Sequence, residues 1–202
     1  MLTRRPNLGF SLIEILVTLA IAGILFAAAL PQFGTWIQNS KTRTAAEVLQ
    51  NALRGARVSA TQQNRIVIFS LATQNPSATN LPTASATGTN WYTQFIPLLS
   101  NDSTGSVYIQ GGALGSSAAI SVSGPAAICF NGSGRLVTNS AAGCVAPVGA
   151  TNLYTYTLGS VALNGTSSNR QLDVLVSVSG AVRMCDPAKL LSTNNPDGCF
   201  TS

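Results

Sequence analysis

Glu14 is the residue whose position most needs a chemical explanation. It lies four places after Phe10, inside a run that is otherwise almost wholly apolar from Phe10 to Leu30. A carboxylate at the centre of a bilayer costs about 2.5 to 3.5 kcal/mol on insertion scales. Such a residue is a functional-site candidate by default. The remaining acids, Glu47, Asp102, Asp173, Asp186 and Asp197, are scattered, and the chain has no histidine. General acid–base chemistry draws on His or on a close carboxylate pair. Neither is signalled, so no catalytic residue, enzyme activity or cofactor is expected. Gly132-Ser133-Gly134 is too short for a phosphate loop and reads as a turn between strands.

Cys129, Cys144, Cys185 and Cys199 are the other chemistry-bearing residues, and all lie beyond the apolar run. An even count in an oxidising compartment points to disulfides. Proximity favours Cys129 with Cys144 and Cys185 with Cys199, one of three possible connectivities. Each pairing closes a loop of about 15 residues, worth roughly 3 kcal/mol in the chain-entropy model. Zinc is the alternative, but there is no histidine and no paired C-x-x-C spacing, so no metal site is expected.

These residues must be positioned by a small number of elements. At about 1.5 Å rise per residue a helix from Phe10 to Leu30 spans roughly 30 Å, the thickness of a hydrocarbon core. Arg4 and Arg5 precede it and no basic residue follows until Lys41. The positive-inside bias therefore keeps the leader cytoplasmic and exports the rest. The expected plan is a leader over 1–9, a membrane-spanning helix over 10–30, an amphipathic continuation over 31–62 and an exported globular domain over 63–202. Pro31, with Gly34, should break or bend the helix as it leaves the apolar run. Beyond it Ala45, Leu49, Ala52, Leu53, Ala56 and Ala60 recur at spacings of three and four, a stripe that should pack on a sheet, while Arg43, Glu47, Arg54 and Arg57 fall largely on other faces. Short β-rich runs follow: Ile66–Leu71, Trp91–Ile96, Val107–Ile109, Ile120–Val122, Ile128–Phe130, Leu136–Thr138, Leu153–Leu158 and Leu172–Val178, with Ala181–Cys185 after a Ser179-Gly180 turn. Ala72 to Asn90 reads as an exposed low-complexity loop. The fold class is α+β, a long N-terminal helix on an antiparallel sheet. An ordinary secretory signal cut near Ala27-Ala28-Ala29, or a plain membrane anchor, would also account for the basic leader and apolar run, but neither explains Glu14.

Leu8-Gly9 followed by Phe10-Ser11-Leu12-Ile13-Glu14, the long apolar helix and Pro31 resembles the class III signal of type IV pilins and type II secretion pseudopilins. The resemblance implies cleavage after Gly9 by a prepilin peptidase, N-methylation of Phe10, and packing of the apolar helix into a filament core, with Glu14 meeting the Phe10 amine of a neighbour. Leu53, Ala56-Arg57, Ala60, Asn64-Arg65-Ile66-Val67, Ile128 to Gly134 and the last hairpin are similar to the GspH/FimT family of minor pilins and pseudopilins. The C-terminal cysteines lean toward its FimT and FimU type. What this implies is a type IV pilin-like fold and a minor pilin that primes pilus assembly in the bacterial inner membrane. Its C-terminal domain would lie in the periplasm before it enters at or near the pilus tip. Its partners would be other minor pilins, the major pilin and the peptidase. Twitching motility would be one use of such a pilus, and an H-type minor pseudopilin of type II secretion is the alternative.

A third implication is DNA binding during natural transformation, through a Gly-Arg-x-Arg element that some FimT-type members carry in the last hairpin. Here the corresponding residues are Gly180-Ala181-Val182-Arg183, so the first arginine is missing. Arg183, with Lys189, Arg135 and Arg170, is a thin basic set for phosphate. The balance of 11 basic against 6 acidic side chains falls further once Arg4 and Arg5 are removed, which does not mark a dedicated nucleic-acid binder.

Overall fold

The computed structural model describes residues 11–97, 107–115, 119–144, 153–161 and 170–200, apart from the side chains at 28–32. The leader over 1–9, with Gly9, and Phe10 lie outside the described residues, as does Asp102. One long helix, α1 (Leu12–Gln63), precedes the strands. It is helical through Pro31 and Gly34, so the expected break at Pro31 does not end the element. A proline removes one amide donor and crowds one carbonyl, and the run Ala27-Ala28-Ala29-Leu30 before it favours helix enough to carry α1 past that loss and past Gly34. Its far end is closed where the sequence turns polar. Asn64 adopts a left-handed φ of 48°, Arg65 N–H donates to Ala60 O at 3.2 Å and Asn64 N–H to Thr61 O at 3.4 Å, the paired bonds of a Schellman cap.

The chain divides into two compact units between Ile37 and Gln38. The C-terminal half of α1 belongs to the second unit because its small-residue stripe is core. Ala45, Leu49, Leu53, Ala56 and Ala60 are fully buried and Ala52 nearly so.

Ten strands are present among the described residues: β1 (Val67–Ala72), β2 (Asn90–Phe95), β3 (Tyr108–Ala113), β4 (Ile120–Ser123), β5 (Ala127–Phe130), β6 (Leu136–Val137), β7 (Leu153–Ser160), β8 (Leu172–Ser177), β9 (Val182–Leu190) and β10 (Gly198–Cys199). The α+β class with a long helix on antiparallel β-structure is what the structure shows, and the strands are divided between two sheets, ordered β3-β2-β1-β5-β6 and β10-β9-β8-β7-β4. Neighbours are antiparallel except for β10, which runs parallel to β9. The split follows from β1 being buried along its whole length. Its Val67, Phe69 and Leu71 join the core shared with the stripe of α1, while Ile68 points into a second cluster with Ala127, Cys129 and Cys144, as the two-residue period of a strand requires. Phe69 anchors the main core, stacked on Trp91 at 6.2 Å and edge-on to Tyr156 at 6.1 Å.

The two sheets are joined where Leu136 N–H donates to Val178 O at 3.0 Å. The stretch between β1 and β2 is less free than its composition indicates, since Ala72 bridges Ala84 and the buried Tyr92 hydroxyl donates to Pro82 O at 2.9 Å. The last strand is also longer than the hairpin pattern shows, because β9 continues through Pro187 to meet β10.

Candidate processing and assembly site

The first described turn of α1 is built around Ser11 and Glu14. Ser11 accepts from the Glu14 amide at 3.1 Å and from the Ile15 amide at 3.2 Å, and Glu14 Oε2 in turn accepts from the Ser11 amide at 3.4 Å. The spacing Ser11-Leu12-Ile13-Glu14 is that of a capping box, a signal that was present in the sequence and that the membrane argument alone passed over. The carboxylate therefore leans back toward the start of the helix, where the helix dipole favours negative charge. A cation arriving near Phe10 would meet it in that position.

Around Glu14 the first unit is apolar on every side and unclothed. Leu12, Ile13, Leu16, Ile24 and Phe26 are all more than half exposed, as are Phe33 and Trp36 further on. A helix apolar all round belongs in a core, a membrane or a bundle, and the described part of this chain provides no cover for it. Among the described residues no helix is long and apolar enough to cross a membrane. The described side chains of the apolar run end at Ala27, short of the about 20 residues a span needs.

In the second unit the four cysteines form two bonds, Cys129–Cys144 with Cα atoms 5.7 Å apart and Cys185–Cys199 at 5.1 Å. None remains free as a thiolate ligand. The first bond staples β5 to the short turn after β6, and the second ties β9 to β10.

The basic set proposed for phosphate is mostly engaged within the domain. Arg170 Nη2 lies 2.6 Å from Oδ2 of the buried Asp186 and 3.8 Å from Asp197. Lys189 Nζ lies 2.6 Å from Asp197 Oδ2, and that hydrogen bond holds the Asp197 carboxyl below its usual range. Arg183 Nη2 donates to Pro196 O at 2.6 Å and Gly198 O at 3.1 Å, with its guanidinium over the Phe200 ring. These three cations, though partly exposed, are paired with carboxylates and carbonyls of β9 and the C-terminal segment instead of forming an unpaired phosphate track. Arg135 stands apart from that network, at the turn between β5 and β6, where its amide donates to Asn131 Oδ1 at 3.0 Å.

Sequence reasoning placed Arg54 and Arg57 only as polar-face residues. They line a cleft of about 520 Å³ with Val58, Thr61, Ala181 and Val182. Their spacing of three on one helix was a visible signal, but the opposite wall comes from a turn more than a hundred residues away.

Comparison with known proteins follows this division of the chain. The prokaryotic N-terminal methylation motif matches residues 4–30, the stretch that contains most of the leader, Glu14 and the whole apolar run. No curated protein matches the chain. Among solved structures it is similar to the Pseudomonas aeruginosa type IV minor pilin FimU in two crystal forms. One is 15% identical with a TM-score of 0.48, covering 82% of this chain and 99% of that one. The other is 16% identical with a TM-score of 0.45, covering 78% and 99%. Likeness of that degree fixes neither family nor function, and what the chain carries plainly is the N-terminal methylation motif.

Proposed function

We propose that the chain is a type IV minor pilin, made as a precursor in the bacterial inner membrane, cleaved after Gly9 by a prepilin peptidase, methylated on Phe10 and assembled with other pilins. The methylation motif over residues 4–30, with Glu14 capping an exposed apolar helix, is the observation that supports this reading most directly.

Physical chemistry supplies the sequence of events. Before assembly the apolar half of α1 holds the subunit in the bilayer, with the disulfide-bonded domain in the periplasm. Cleavage after Gly9 exposes an ammonium at Phe10, close in sequence to the Glu14 carboxylate. In an assembled bundle the ammonium of one subunit neutralises Glu14 of the next, which lowers the cost of burying both charges. A subunit that keeps Glu14 can follow another subunit in the filament, so in a priming complex at or near the tip it need not be the outermost member.

The test is the mass and N-terminal sequence of the protein recovered from its native cells. A mature chain that begins with methylated Phe10 is expected. A chain that begins near Leu30, as a signal-peptidase product would, or one that retains the leader, overturns the reading.

A further inference from the structure

The cleft between α1 and the β8–β9 turn is shaped in a way that core packing does not require. Its floor is formed where two turns meet back to back. Gly134 and Gly180 both have left-handed φ, 72° and 78°. A Cβ on Gly180 would collide with the Gly134 carbonyl, and one on either glycine would crowd Arg57 Nε, at 2.9 and 3.1 Å. Both turns are pinned by their own backbone bonds, Gly134 N–H to Asn131 O at 2.8 Å and Gly180 N–H to Ser177 O at 2.8 Å. The missing side chains thus leave a seat for one guanidinium.

The second guanidinium is held from the other side, with Arg54 Nη2 donating to Val182 O at 3.3 Å. Arg54 has no carboxylate partner among the described residues, and neither does Arg57. Glu47 pairs with Arg43, while Asp186 and Asp197 pair with Arg170 and Lys189. An arginine carries five N–H donors, and among the described residues those of Arg54 meet only neutral acceptors, Val182 O and, with its amide turned, the Gln50 side-chain oxygen at 3.0 Å. Between them stand apolar surfaces, including Val58, which is 49% exposed.

We propose that this cleft is a docking seat for an acidic side chain of a neighbouring subunit, an inference that rests on the chain being an assembly protein. Two guanidinium groups lining one cleft offer the forked donors that match the two oxygens of a carboxylate, and the apolar wall accepts the methylene stem that carries it. A nucleic-acid track needs a longer row of cations, since useful affinity comes from neutralising many phosphates. In this domain the other candidates, Arg170, Lys189 and Arg183, already serve internal partners.

Isotope-labelled full chain in detergent micelles provides the test, read on the side-chain Nε–H resonances of Arg54 and Arg57. The probes are the peptide acetyl-Ala-Glu-Ala-Glu-Ala-amide, its glutamine counterpart and a short DNA duplex, all at low salt. The glutamate peptide should shift both resonances saturably and the glutamine peptide should not. Arg57→Gln should weaken binding by about tenfold or more, the effect of losing a charge-assisted partner, and Arg135→Gln should leave it unchanged. Arg57→Lys keeps the charge without the fork and should fall between, which covers the case in which Arg57→Gln disturbs the fold. Equal shifts with both peptides, no shift with either, or saturation by the duplex alone would overturn the proposal. Because the purified subunit is titrated alone, failure here is distinguishable from failure of the filament reading, which the mature N-terminus decides.

Discussion

The two halves of α1 obey opposite rules within one continuous helix. From Leu12 to Phe26 and from Phe33 to Ile37 the large apolar side chains are exposed, with nothing among the described residues to cover them. From Thr42 to Ala60 the inward side chains are mostly alanines, buried to completion against two sheets. Small residues let a helix lie close to a sheet and hold a domain together. Large exposed residues leave the folded domain unfinished in one direction only. The contrast teaches that the second unit buries its own core, while the described apolar side chains of the first are left uncovered, to be met by lipid or by another subunit on the reading proposed above.

The sharpest way to break that contrast is to truncate a leucine in each half. Leu53→Ala, in the buried stripe, should lower the domain's stability by about 2 to 5 kcal/mol, read by denaturant unfolding. Leu16→Ala should leave that unfolding transition where it is and reduce recovery of the subunit in filaments. If both variants unfold alike, the first half is structural and the division fails.

Replacing Cys185 and Cys199 together by serine comes next. The bond closes a separation of 14 residues, so its loss should cost roughly 3 kcal/mol. The effect should be confined to the second unit and visible as a lower unfolding midpoint under oxidising conditions only.

Arg170→Ala should be milder. It leaves the buried Asp186 carboxylate without its strongest partner, for about 1 to 3 kcal/mol. If the same change instead leaves stability unaltered, Arg170 is freer than its 2.6 Å contact indicates, and the basic set regains its claim on phosphate.

The smallest effect is a pH dependence. Burial raises the Asp173 carboxyl above its ordinary range, with the Thr157 hydroxyl opposing and the charge of Asp186 adding to it. A folded-state pKa above the unfolded one contributes stability that is present below the unfolded pKa and lost as pH rises through the folded value. Asp173→Asn should therefore raise the thermal midpoint near neutral pH and leave it unchanged in acid. A midpoint that shifts equally at both would point to packing instead of charge.

Much of this arrangement was legible from residue order. The stripe Ala45, Leu49, Leu53, Ala56 and Ala60 was readable because helical period and burial agree there. The cysteine pairs were readable because each closes a short loop. The Ser11 to Glu14 spacing of the helix start was there to be read as well, since a capping box depends only on local order. What could not be read depends on long-range pairing. Nothing local says that β1 pairs with β5 and not β4, which is what divides the strands between two sheets. Nothing local says that Arg183 turns to the carbonyls of Pro196 and Gly198, or that β9 passes through Pro187. The cleft at Arg54 and Arg57 needed two distant glycine turns to meet, and spacing along one helix cannot show that.

Incorporation of Glu14→Ala into filaments, measured beside cleavage of its leader and unfolding of its domain, tests the central claim most directly. The account predicts a chain that is processed at Gly9 and folded as before, yet largely absent from sheared filaments and restored in part by Glu14→Asp. Normal incorporation of Glu14→Ala would contradict it, because the first half of α1 would then need no charge partner in a neighbouring subunit.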